Sequence, residues 1–176
     1  MEKIYRREEY LKKIRGFYKD DMIKVITGIR RCGKSYFLKS VIEELKENGI
    51  PEKDIVHIEL DKKEYKDITT PEKLSKIIDE KIIDDDYKYL FIDEVQNVKG
   101  YEKIINSYRE EGNISIFLTG SNSYLLSGEL ATKLTGRHLE IEMMPLTFYE
   151  YVDMKKFLGK EVNNNIYKEF EDYIRN

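Results

Sequence analysis

The sequence predicts an α/β protein whose parallel sheet carries a phosphate-binding loop at its carboxyl edge. Three observations lead there. Gly28-Ile29-Arg30-Arg31-Cys32-Gly33-Lys34-Ser35 reads G-x-x-x-x-G-K-S/T, the pattern of a loop that cradles phosphate. It stands between an apolar run, Met22 to Thr27, and a stretch with Phe37, Leu38, Val41, Ile42 and Leu45 at helical spacing. Further along, the apolar run Tyr87 to Ile92 ends abruptly in Asp93-Glu94.

The elements follow in order. Tyr10, Leu11 and Ile14 among charged residues predict a short amphipathic helix ending at Gly16, packed on the sheet near the loop. The first strand is 22–27, and the helix after the loop stops at Asn48-Gly49 with Pro51 beyond. Ile55 to Leu60 is the second strand. Thr70-Pro71 starts a helix as cap and first residue, with Leu74, Ile77, Ile78 and Ile82 on its apolar face. The third strand is 87–92. A helix over 100–110 follows, then a strand over 113–119, a helix over about 124–134 and an alternating strand over 138–143. Thr147 and Glu150, three apart, form a capping box that opens another helix. Ile166, Tyr167, Phe170, Tyr173 and Ile174 form a last amphipathic helix, and the pattern stops without a closing element. We therefore expect a core over 1–147 and, over 148–176, the truncated start of a helical lid or linker.

Composition narrows the function classes. The 176 residues suffice for one domain with a core; 40% are hydrophobic and 37% charged, the profile of a globular chain with a charged surface. The net charge of −3 gives no general reason to expect nucleic acid as a partner. No apolar signal core opens the chain, and no apolar run nears the roughly 18 residues of a membrane span. One cysteine, Cys32, excludes an internal disulfide and a cysteine-cluster zinc site. These features point to a cytoplasmic location and no membrane partner. Cys32 is either a small residue at a variable loop position or a redox-sensitive thiol at a helix N-terminus.

The site residues follow from the chemistry. Gly28 and Gly33 let the backbone turn sharply and approach a ligand. The loop amides of residues 28–36, from Gly28 to Tyr36, converge with the helix N-terminus on an anion. Lys34 adds charge for the outer phosphates, and the Ser35 hydroxyl can ligate Mg²⁺. Asp93 stands ready to hold Mg²⁺ opposite Ser35, and Glu94 to orient and deprotonate the attacking water. Adjacent residues of a strand point to opposite sides, so two roles for the two acids are reasonable. Thr119-Gly120-Ser121-Asn122 ends a strand at the same edge. It either bonds the acids or the γ-phosphate as a sensor, or caps the next helix. Glu59 and Asp61 also reach this edge, where a carboxylate holds water or Mg²⁺ or simply faces solvent. His57, alone in its strand, reads as structural, and Asp84-Asp85-Asp86 as a solvated turn on the opposite edge. Arg137 precedes a strand, which disfavours phosphate contact within one subunit. It is either structural or acts on a neighbour's nucleotide.

Together with Leu90-Phe91-Ile92-Asp93-Glu94-Val95-Gln96, Gly136-Arg137 and Met144-Pro145-Leu146-Thr147-Phe148-Tyr149-Glu150, these motifs resemble, in order, a group of prokaryotic AAA-superfamily P-loop ATPases related to archaeal-type and signal-transducing ATPases. The resemblance spans residues 4–153. It implies a three-layer P-loop sandwich with a five-stranded parallel sheet of order 5-1-4-3-2, and ATP hydrolysis with Mg²⁺ through Lys34, Ser35, Asp93 and Glu94. It implies a sensing role for Arg137. It also implies a homo-oligomer or a carboxyl-terminal effector domain as partner. We expect the adenine contacts within residues 4–10. Two function classes stay open: an ATPase that couples hydrolysis to conformational change, with Asn122 and Arg137 assisting, and a slow nucleotide-dependent switch. A small-molecule kinase lacks an arginine-rich lid here. A GTPase lacks both Asp-x-x-Gly and Asn-Lys-x-Asp.

Overall fold

The computed structural model describes residues 3–121, 134 and 136–175. The expected helix over 124–134 falls, Leu134 apart, outside them. Helix α1 (Glu8–Ile14) leads through a 3₁₀ turn to strand β1 (Ile23–Gly28) and helix α2 (Lys34–Glu47). Strand β2 (Ile55–Glu59), helix α3 (Pro71–Lys81), strand β3 (Lys88–Asp93), helix α4 (Tyr101–Glu111) and strand β4 (Ile114–Thr119) follow. Strand β5 (His138–Met143), helix α5 (Phe148–Phe157) and helix α6 (Ile166–Arg175) complete the described chain.

All five strands pair in parallel in the order β2-β3-β4-β1-β5. This is the expected 5-1-4-3-2 order read from the other edge. Parallel pairing puts the carboxyl ends Gly28, Glu59, Asp93, Thr119 and Met143 on one edge, where ligands of such sheets bind.

Alternation along the strands divides the core in two. Val25, Ile58, Leu90, Ile92, Ile116 and Leu118 face α3 and α4, with Leu74, Ile78, Tyr101 and Ile105 against them. Ile26, Phe91, Phe117 and Ile141 face α1 and α2, with Leu11, Ile14, Phe37, Leu38 and Val41. Phe91 and Phe117 stack there with centroids 4.5 Å apart. The helices start where local chemistry directs. Thr70 Oγ1 accepts from Lys73 N at the head of α3, beside Pro71. Thr147 Oγ1 accepts from Glu150 N and Glu150 Oε2 from Thr147 N, a complete capping box for α5. Arg15 and Tyr18 both bond Glu44, which fastens the α1 segment to α2.

Two lysines lie inside the strands. Lys24 is fully buried and donates to Asp20 O at 2.7 Å and Ser115 Oγ at 2.8 Å. Burial pushes its ammonium down to about 8, against Asp20 and Asp21. Lys88, also buried, bonds Asp54 at 2.7 Å and Asp84. Burial pulls its pKa down, but the two carboxylates prevail and hold it above the ordinary value. Asp54, Asp84 and Asp86 cluster at the amino edge of the sheet, where Lys88 and Lys53 pair with them.

Candidate nucleotide site

The site starts where β1 ends. At Gly28, φ is +150°, and a Cβ would lie 2.5 Å from Met143 O and 2.6 Å from Cys32 Sγ. Only glycine fits between the ends of β1 and β5. Arg31 (φ 69°) and Gly33 (φ 98°) then turn the loop in left-handed conformation, with Cys32 N bonded to Ile29 O at 3.3 Å. Gly33 is the N-cap of α2 and offers no side chain to cap it. The first turn of α2 therefore turns its amides, and with them the positive end of the helix dipole, toward the loop. Ile29, Arg30, Arg31 and Tyr36 are exposed, whereas Cys32 is buried.

The functional lysine and the acids meet here. Lys34 Nζ donates to Gly28 O at 3.1 Å and Ile29 O at 3.3 Å and stands 3.9 Å from Glu94 Oε1. Asp93 is buried and accepts from Thr119 Oγ1, which in turn accepts from Glu94 N at 2.9 Å. The Glu94 backbone is left-handed (φ 57°), and Gln96 donates to its carboxylate. The chain thus turns sharply at the strand end. One acid is pinned in the sheet, and the other is sent toward Lys34.

The remaining carboxylates at this edge are engaged. Glu59, level with Asp93, pairs with Lys39 at 3.6 Å and with Lys62. Burial raises its pKa, but the Lys62 bond, His57 and the two lysine charges leave it below the ordinary value. Asp61 accepts from Asn97 at 2.9 Å. His57, on the same strand, leaves Nε2 buried without a hydrogen-bond partner, and burial lowers its pKa.

A cavity of about 510 Å³ opens beside the phosphate loop, lined by Tyr5, Tyr36, Phe37, Leu146, Met154 and Leu158 among others. The residues expected near adenine thus contribute Tyr5 and Arg7, while Leu146 comes from the approach to α5 and Met154 and Leu158 from its second half and carboxyl end. Leu146 belongs to the Met144–Glu150 motif, whereas Met154 and Leu158 carry no motif and only their helical spacing is visible in sequence. Arg137 lies at the far edge. Its carbonyl accepts from Ile23 N at 3.1 Å, and its exposed guanidinium stands 3.6 Å from Asp21. Asn122 falls outside the described residues.

Sheet order, glycine loop and paired strand-end acids define a P-loop nucleotide-binding fold. A family profile described as an AAA domain matches residues 20–152, and the chain belongs to that family of ATP-hydrolysing domains. An uncharacterized protein of Haemophilus influenzae is 39% identical over 169 residues, covering 95% of this chain and 42% of that protein. This chain therefore spans less than half that relative's length. Cdc6p from Pyrobaculum aerophilum superposes with a TM-score of 0.62 at 13% identity, covering 89% of this chain and 50% of that one. AMPPCP-bound DnaA from Aquifex aeolicus gives 0.56 at 16% identity, covering 95% and 58%. These structural likenesses show the fold. Among the described residues, no helix is long and apolar enough to cross a membrane.

Proposed function

We propose that this protein binds ATP with Mg²⁺ and cleaves the β–γ bond, coupling turnover to the helices that follow the sheet. The observation that carries the reading is the approach of Lys34 on the phosphate loop to Glu94 at the end of β3. Two segments sixty residues apart in sequence meet at one point. Loop amides and the α2 N-terminus bind the phosphates, and Lys34 neutralises their outer charge. Ser35 and Asp93 supply hard oxygen donors of the kind Mg²⁺ prefers, and so would hold it. When bound, that ion neutralises charge developing on the phosphate oxygens. Glu94 orients a water and accepts its proton. Thr119 keeps the two acids in place, with Asn122 assisting. Adenine enters the cavity between Tyr5 and Tyr36.

Residues 1–147 act as the core, and 148–176 as the start of a helical lid or linker. Arg137, exposed at the far edge, serves a neighbouring copy rather than its own nucleotide. A second reading, a slow nucleotide switch, is favoured by the 42% coverage of the Haemophilus relative, because further segments then complete the site and carry the output.

Calorimetric titration with ATP and Lys34→Ala test the first claim. The variant should bind ATP more weakly by about 1.5–3 kcal/mol, the scale of charge-assisted hydrogen bonds. Unchanged affinity rejects the site. Phosphate release by the isolated protein separates the readings, because fast turnover eliminates the switch.

A further inference from the structure

One buried cation at the wall of the nucleotide cavity has a second set of partners. Arg7 precedes α1, yet its side chain is only 6% exposed. A guanidinium carries five N–H donors in a planar fork, and here its three nitrogens reach five oxygens. Nε and Nη2 donate to Glu150 Oε1 and Oε2, both at 2.9 Å. Nη1 donates to Met144 O at 2.6 Å and Cys32 O at 3.3 Å, and Nη2 also to Pro145 O at 3.4 Å. The group lies over the Tyr10 ring, 4.5 Å from its centroid, and Tyr10 Oη accepts from Met144 N at 3.0 Å.

These partners come from three places. Cys32 belongs to the phosphate loop. Met144 and Pro145 are the exit from β5. Glu150 lies in the first turn of α5, where it also completes the capping box. Met154 and Leu158, about one and two turns on, line the cavity beside the loop. Helix α5 in turn holds α6, through Phe148 against Phe170 with centroids 5.2 Å apart and Lys155 to Glu169 at 2.5 Å. A continuous series of polar and aromatic contacts therefore runs from the loop carbonyl to α6.

We propose that Arg7 is a positioning residue that couples occupancy of the phosphate loop to the seating of α5 and α6. This rests on the nucleotide reading above. A bound phosphate fixes the loop backbone, including the Cys32 carbonyl, and so removes part of the cost of holding Arg7 against it. Arg7 held there presents its other edge to Glu150. By linkage, a seated α5 favours the occupied loop to the same degree. Lysine cannot take over this role. It is a point charge without the fork that spans a carboxylate and three carbonyls at once.

Amide hydrogen exchange, with and without saturating ADP, tests the coupling. ADP affinity is measured by titration on each protein first. In the wild type, ADP should slow exchange in α5 and α6 about tenfold, within the usual range of coupling between sites. In Arg7→Lys, compared at ADP concentrations that saturate the variant, the slowing should drop below about twofold. Glu150→Gln should behave the same way, because glutamine still serves the capping box while the ion pair is lost. Exchange in β1 and β3 reports whether each variant keeps its fold. If Arg7→Lys loses that protection, Glu150→Gln decides. Equal slowing in wild type and a folded variant overturns the coupling and leaves the ATP site standing. So does ADP binding to wild type with no slowing in α5 and α6. Failure of wild type to bind ADP removes the ATP reading itself, and the coupling with it.

Discussion

At the scale of single residues, one hydroxyl sorts two neighbouring acids. Thr119 Oγ1 donates to Asp93 and accepts from the Glu94 amide. Asp93 is thereby held in the sheet, while the left-handed backbone at Glu94 sends the second carboxylate toward Lys34. A non-glycine residue held there costs roughly 1–3 kcal/mol, a strain that collects at functional sites. Glu94→Gln should keep ATP affinity and lower phosphate release by at least about a hundredfold, the low end for a general base. Turnover close to wild type would show that Glu94 does not activate the water. Lys34, Asp93 and Glu94 were legible in sequence because each sits in a short contiguous pattern. Arg7 was not. Its partners lie 25 to 143 residues away, and a lone arginine before an amphipathic helix reads as a solvated side chain. The capping-box glutamate was visible, but its second partner was not.

At the scale of elements, the phosphate loop depends on a strand that contributes nothing to its motif. The end of β5 lies so close to the end of β1 that a methyl group at Gly28 meets the Met143 backbone carbonyl as well as the buried Cys32 sulfur. Gly28→Ala should lower unfolding stability by about 1–3 kcal/mol, as overpacking does, and weaken ATP binding as the loop shifts. The urea midpoint and a titration read the two effects. An unchanged midpoint would mean that β5 yields freely. Strand and helix positions were mostly predictable, because apolar periodicity and caps at Thr70 and Thr147 are local signals. The closeness of β1 to β5 was not, since 115 residues separate their starts and pairing is a property of the assembled sheet. The strand order was available only through family resemblance.

At the scale of the whole molecule, stability should depend on pH above the carboxylate range. Burial lowers the pKa of His57. Glu59 and Asp93 oppose that shift, while Lys39 and Lys62 reinforce it. The folded chain thus prefers neutral His57, while the unfolded chain takes up a proton near the ordinary value of 6.5. The unfolded state binds more protons, so stability falls as pH drops through and below that value. Glu44 is held low chiefly by Arg15. Glu150 is raised by burial, but bonds from Arg7 and Thr147 bring it below the ordinary 4.5. Their loss falls at lower pH and most of the Lys24 change lies above pH 7.5, so the window from pH 7.5 to 5.5 reports chiefly the histidine. The melting temperature should drop between pH 7.5 and 5.5, and His57→Leu should shrink that drop. An equal drop in the variant would assign the effect elsewhere. The two strand lysines have another consequence at this scale. Both faces of the sheet are apolar, so alternation alone does not tell a strand how far to slide along its neighbour. Shifting β1 by one residue would carry the Lys24 ammonium to the other face, away from Asp20 and Ser115. The same shift in β3 would take Lys88 from Asp54 and Asp84. An unpaired buried ammonium costs several kcal/mol. Lys24 and Lys88 therefore act as index marks that leave each strand a single alignment during folding.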